Sequence, residues 1–293
     1  MPITRTCALC ATEYEPTELS HIVPKFVYRW LKASSTTQFM RFGPEMNRRA
    51  QDGIKDHFLC EACEDRFEKH ESKFASDIFN PFVADNSHTA EYEEYLLKFG
   101  VSVSWRVLAY GQEKRALHHF RGRHAAAVAD TLATWRDYLL DNTHEIGVHE
   151  IHLLPISGVI DHSSAEVPEN INRYLRRAVE IDVGVSDTEA FTYCKLGPMI
   201  FIGLIEYPDL AHWQNTKILK SGRFPPMNFT APAQYKDFIF KRSRRLAELE
   251  SQLSERQLKT IKGSYEKNAD RFEQSDTYKT LLMDLKLKQK PKA

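Results

Sequence analysis

Four cysteines stand in two matched pairs, Cys7-x2-Cys10 and Cys60-x2-Cys63, separated by about fifty residues. No other feature limits the fold as much. A CxxC turn presents two sulfurs from one knuckle, and two knuckles supply the four thiolates that a tetrahedral zinc ion takes. Closing that cage pins two distant segments side by side, so the chain between them must leave and return. Four thiolates also fill the coordination sphere, which makes such a zinc structural and leaves no position for water. A redox pair in a thioredoxin-like fold needs a βαβ setting that neither motif has. The fifth cysteine lies in Phe191-Thr192-Tyr193-Cys194 and reads as a buried, inert thiol.

The 293 residues suffice for one large domain or two ordinary ones. Forty Lys and Arg balance forty Asp and Glu, so attraction to nucleic acid must come from local clusters rather than net charge. The longest apolar run, Met199 to Ile205, is far too short to span a bilayer. The N-terminus lacks the apolar core of a signal peptide. Paired cysteines in a metal-type spacing fit a reducing compartment, so the cytoplasm is the expected location.

Patterning divides the chain into a cysteine-bearing module over 1–84 and a mixed α+β domain over 85–293. Lys25 to Leu31 is amphipathic with a helical period, and the polar stretch 33–56, with Gly43-Pro44 and Asp52-Gly53, reads as a loop. A helix should run from near Cys63 to about Asp77 and end at Asn80-Pro81. Residues 89–99 look helical, and Val101 to Val107 reads as a strand or as a continuing buried helix. Another helix is expected over 123–141. Strands are expected at 148–154, 178–185, 189–196 and 198–206, the last two joined by Gly197-Pro198. A long helical tail should follow from about 233. The fold class is α+β.

Between the cysteine pairs lies Ser20-His21-Ile22-Val23-Pro24. The order Cys7-Ala8-Leu9-Cys10, then His21-Ile22-Val23-Pro24, then Leu59-Cys60-Glu61-Ala62-Cys63-Glu64 resembles the HNH, or ββα-metal, endonuclease superfamily over about the first 75 residues. That resemblance implies a zinc-stapled ββα module that cuts DNA, with His21 as the general base activating water. It also implies a divalent Mg²⁺ or Mn²⁺ ion at the scissile phosphate, held beside the histidine and from the helix. Family members usually carry an acidic residue or histidine just before the base, where this chain has Ser20. They often carry Asn or His after the last cysteine, where this chain has Glu64, and Asp56 stands nearest to the family's central Asn. Two outcomes stay open: a variant catalytic site, or a non-catalytic zinc module with a degenerate site that binds nucleic acid or a protein.

At about 100° per residue, Glu64 and Glu71 fall within about 20° of each other on the helix, with Glu68 about 40° from Glu64. They edge the apolar stripe of Phe67, Phe74 and Ile78, where the His21 segment should pack. Two carboxylates there suit Mg²⁺ or Mn²⁺, whereas the competing reading is a solvated acidic face paired with Lys69 and Lys73. His70 lies about 100° from Glu71 and is less well placed. Arg48 and Arg49 are candidates for holding the phosphate, and Lys241 to Arg245 forms a second basic run that reads equally as a solvated helix face. The charge-alternating C-terminal helices are candidates for a protein partner or a homodimer contact. Trp105 and Trp213 read as core or interface anchors.

Overall fold

The computed structural model describes residues 4–16, 19–37, 39–118 and 120–290. Strands β1 (Arg5–Thr6) and β2 (Glu13–Tyr14) form an antiparallel hairpin whose turn carries Cys7 and Cys10. The turn closes through Cys7 N–H to the Thr12 carbonyl and Ala11 N–H to the Cys7 carbonyl, with Ala11 at φ 60°. Strand β3 (Ser20–His21) leads through Pro24 into helix α1 (Lys25–Ala33). A small hairpin of β4 (Met40–Arg41) and β5 (Arg49–Ala50) follows. Strand β6 (Lys55–Asp56) then returns to pair antiparallel with β3, Ser20 opposite Asp56 and His21 opposite Lys55. The second CxxC opens helix α2 (Glu61–Phe74). The polar stretch 33–56 is therefore not simply a loop, because three two-residue strands and a 3-10 turn are set into it.

The helix does not stop at Asn80-Pro81. It passes through one π-type turn, Ala75–Phe79, into α3 (Asn80–Ala84). Pro81 falls in the first turn of α3, and the Asp77 carbonyl four residues before it, which a proline cannot bond, accepts His88 Nε2 at 2.9 Å instead. Ile78, Phe79 and Phe82 are all fully buried, and that packing holds the chain helical through the proline.

Strand β7 (Ala90–Tyr92) precedes α4 (Glu94–Glu113), so the helix expected over 89–99 starts later and Val101 to Val107 continues it. Every residue from Tyr95 to Leu108 is buried. A helix surrounded on all sides needs no polar face, so its sequence does not show the amphipathic period that would set it apart from a strand. α4 packs on α2 at one side and on α5 (Arg123–Leu139) and the main sheet at the other.

That sheet comprises β8 (Ile151–Pro155), β9 (Val179–Val185), β10 (Ala190–Leu196) and β11 (Met199–Glu206) in the antiparallel order β8-β11-β10-β9, with α6 (Ile171–Arg177) between β8 and β9. Gly197 and Pro198 form the two-residue turn between β10 and β11. Gly197 sits at φ 60°, and a Cβ there would come within 2.5 Å of the Trp30 ring, so both backbone and packing select glycine. Alternation sorts β11: Met199, Phe201 and Ile205 join the α4 side of the core, while Ile200, Ile202 and Leu204 join Trp213 and Tyr235 beyond the sheet. Cys194 is fully buried on the α4 side, and Trp105 and Trp213 are both core residues.

Strand β12 (Gly222–Phe224) pairs with β7. The C-terminal tail is four helices, α7 (Ala233–Ser251), α8 (Glu255–Lys267), α9 (Ala269–Gln274) and α10 (Asp276–Lys288). It folds back rather than projecting. Asp284 of α10 accepts the N–H groups of Asn172 and Arg173 in the first turn of α6, where a carboxylate satisfies otherwise orphaned donors. Buried Arg177 of α6 donates to the Leu31 carbonyl and to the Ser34 and Ser35 hydroxyls, closing the C-terminus of α1. One apolar cluster contains Leu9, Ile22 and Phe67 together with Phe99, Phe201 and Ile218, so the core is continuous across residue 84. The architecture is mixed α+β. Among the described residues no helix is long and apolar enough to cross a membrane.

Candidate metal centre and histidine site

The two knuckles meet. The sulfurs of Cys7, Cys10, Cys60 and Cys63 all lie within 4.8 Å of one another. Cys10 and Cys60 are 3.7 Å apart, against an edge of about 3.8 Å for a tetrahedron with zinc–sulfur bonds of about 2.3 Å. The Cys60 N–H points at the Cys7 sulfur at 3.4 Å, a donor that favours thiolate. A hydrogen bond from the Cys63 thiol, more than any other influence, pulls the Cys7 pKa down to about 4 and pushes that of Cys63 up. The four-sulfur donor set fits a soft, tetrahedral metal such as zinc. Among the described residues it is the one group of three or more His, Cys, Asp or Glu ligands close enough to share an ion.

The staple carries the histidine. Ser20, buried at the start of the β3–β6 pair, accepts the Leu59 N–H at 3.0 Å, which ties the strand directly to the second knuckle. His21, with a side chain 15% exposed, places Nε2 3.0 Å from Asp52 Oδ1. Asp52 also accepts its neighbour Gly53's N–H at 2.9 Å and faces Lys55 Nζ at 2.5 Å. Burial works against ionisation of Asp52, but the bonds from Lys55 and His21 outweigh it and hold the carboxyl well below the usual range. An ionised carboxylate can only accept, so His21 Nε2 carries the hydrogen and Nδ1 keeps its lone pair. Gly53 is required beside Asp52, because a Cβ there would meet the Tyr28 ring at 1.9 Å.

Burial lowers the His21 pKa below 6.5, overriding the opposing pull of Asp52, so the ring is neutral at pH 7. As pH falls, the unfolded chain takes up this proton before the folded one does. His21 therefore contributes stability that is full above about 6.5 and is lost as pH falls through its folded pKa. Thermal unfolding from pH 7 to pH 5 should show a declining midpoint, and His21→Gln should flatten that decline. An unchanged slope in the variant would place the acid sensitivity elsewhere.

The acidic helix behaves differently from a pair of free carboxylates. Glu71 Oε1 lies 2.5 Å from Nη2 of Arg106, a residue of α4 whose side chain is only 2% exposed. The same guanidinium donates through Nη1 to the His21 carbonyl at 3.0 Å. α2 and β3 are thus joined through one buried arginine, and burial pushes the Glu71 carboxyl up against the pull of Arg106. Glu64, in contrast, has one buried carboxylate oxygen with no hydrogen-bond partner. Removing Glu71 would strand a buried charge, so Glu71→Gln should cost about 3–5 kcal/mol in denaturant unfolding. A cost below about 1 kcal/mol would show that the pair does not hold the His21 strand.

The remaining expected residues are scattered. Asp56 is held by Lys114, the residue that follows α4. Arg48 pairs with Glu45 at the surface, and Arg49 stacks over Phe39 at 4.3 Å on the β4–β5 hairpin. Arg242 is tied to Glu180 and Asp182, and Arg244 donates to the Glu166 carbonyl. The lysines that act on the His21 ring are instead Lys55 and Lys25, with Arg106 on its backbone carbonyl. A cavity of about 530 Å³ lined by Arg66, Lys69, His70, Lys98 and Asp141 lies on the face of α2 opposite Glu64 and Glu71, and His21 is not part of it. Two residues of the histidine site carried no advance signal of that role: Asp52 reads locally as half of an Asp-Gly turn, and Arg106 as part of an apolar run. No protein-family model, curated protein or solved structure matches this chain.

Proposed function

We propose that this chain is a metal-dependent endonuclease of the HNH type that hydrolyses phosphodiester bonds in DNA, with His21 as its general base. The observation that carries the reading is a neutral, partly exposed imidazole with Nε2 anchored on Asp52 and Nδ1 left to accept a proton. Its strand pair leads, through the cysteine cluster, into α2. Nδ1 takes the proton of a water whose oxygen attacks phosphorus, the bond from phosphorus to the 3′ oxygen breaks, the 3′ oxygen takes a proton from solvent water to leave as a hydroxyl, and the imidazolium returns its proton to solvent. Asp52 fixes the tautomer and stabilises the imidazolium that forms. A Mg²⁺ or Mn²⁺ ion would supply charge stabilisation at the phosphate, and such ions need only one or two protein carboxylates besides water and substrate. Glu64, with its unpartnered oxygen, is the ligand assigned here, and Glu71 supports the site through Arg106 rather than as a ligand.

A second reading is favoured by one specific observation: Glu71 is already neutralised by Arg106. In that reading the site is degenerate and the chain is a non-catalytic zinc module that binds nucleic acid or a protein. Plasmid nicking with Mg²⁺, Mn²⁺ or no divalent ion, together with Mn²⁺ calorimetry, separates the two. Metal-stimulated nicking and a Mn²⁺ site distinct from zinc support the nuclease. Absence of both leaves the binding module.

A further inference from the structure

Charge is unevenly distributed around His21. From Ser20 to Pro44 the sequence contains Lys25, Arg29, Lys32 and Arg41 and not one Asp or Glu, in a chain whose charges balance overall. α1 displays the first three along one side. At about 100° per residue they fall within about 60° of one another, over a length of about 10 Å. Lys25 and Arg29 are exposed, and Lys32 is half-buried with Nζ on the Gln51 carbonyl at 2.7 Å, next to Asp52. Among the described residues no carboxylate pairs with any of the three, whereas Arg48, Arg66, Arg173 and Arg242 are each matched to an acid. The row begins four residues after His21, and Lys25 is close enough to oppose protonation of the ring.

Resting on the reading of His21 as a nuclease base, we infer that the α1 row Lys25, Arg29 and Lys32 binds the phosphate backbone of double-stranded DNA and sets it beside His21. Each strand of a duplex carries a phosphate about every 3.4 Å of axis, so a row of about 10 Å meets about three of them. The occupant is a duplex rather than unpaired bases because α1 offers no stacking platform. Its aromatic residues face inward, Phe26 against Phe74 and Phe79, Trp30 against Phe79, and Tyr28 buried. Contacts of this kind hold the backbone without reading sequence.

The test is fluorescence anisotropy of a labelled DNA duplex titrated with the full chain, without divalent metal, across 50–200 mM salt. Compared are the wild type, the triple variant Lys25→Gln/Arg29→Gln/Lys32→Gln and the double variant Arg48→Gln/Arg49→Gln. Glutamine keeps helix propensity close to that of Lys and Arg, so α1 should persist, which circular dichroism checks. Losing three phosphate contacts should lower the slope of log affinity against log salt by about 2.7. Over that salt range the wild type should then lose about 40-fold more affinity than the triple variant. The Arg48/Arg49 double variant should keep the wild-type slope. An unchanged slope in a folded triple variant overturns the inference, as does tighter binding of an RNA duplex of the same sequence. A wild type that shows the expected slope yet never nicks plasmid removes the nuclease reading and leaves the α1 row standing.

Discussion

Stripping the metal from the four-cysteine cluster, or replacing Cys63 with serine, is expected to unfold the chain rather than loosen one end of it. The strands that carry the cluster are two residues long, far below what a hairpin needs to persist alone in water. Their geometry depends on the cage. Structural zinc in small sites contributes about 10 kcal/mol or more, and a whole domain is stable by only about 5–15 kcal/mol. Leu9 and Ile22 belong to the same buried cluster as Phe201 and Ile218, so the loss does not stay local. The purified protein should hold one zinc per chain by elemental analysis. A strong chelator should abolish the cooperative thermal transition, and Cys63→Ser should be insoluble or melt far below wild type. Cys194→Ser should keep its zinc, since that thiol belongs to β10 and is not one of the four clustered sulfurs. A metal-free protein that melts like the loaded one would remove the staple from the account.

The second large effect is chemical. His21→Ala should slow DNA nicking by about 10²–10⁴-fold, the usual range for losing a positioned general base. It should do so without unfolding the chain. The imidazole makes one side-chain bond, to Asp52, and Asp52 keeps Lys55 and the Gly53 N–H when the ring is gone. Arg106 holds the His21 carbonyl, which the variant retains. Zinc content should therefore match wild type, and the thermal midpoint should move by a few degrees at most. Asp52→Asn should give a smaller loss and shift the acid limb of the rate profile, because the anion that fixes the tautomer and supports the imidazolium is removed.

Legibility in the sequence followed how local each signal was. CxxC spacing encodes a metal knuckle within four residues, and both pairs meet as that spacing implies. The four main strands were readable because alternation and the Gly197-Pro198 turn are local too. α4 was ambiguous because complete burial erases periodicity, and the Asn80-Pro81 stop failed because Ile78, Phe79 and Phe82 pack the helix through it. The histidine site was half legible. His21 stood out between the knuckles, but its partner Asp52 lies 31 residues on and Arg106 lies 85 residues on. Nothing in the spacing of Glu64 and Glu71 announces that a buried arginine from another element neutralises one of them. Likewise Arg48-Arg49 is the denser pair of charges, yet the cations at His21 are Lys25, Lys55 and Arg106, which adjacent charge in the sequence does not reveal.

One measurement bears most directly on the central claim that His21 is the base of a DNA-cutting site. It is the first-order rate of supercoiled plasmid nicking by wild type and His21→Ala, both confirmed zinc-loaded and folded, with and without Mn²⁺. Wild type should nick only with the added ion, and the variant should do so at a rate at least about 100-fold lower. Equal rates in the two proteins, or no nicking by either, would contradict it.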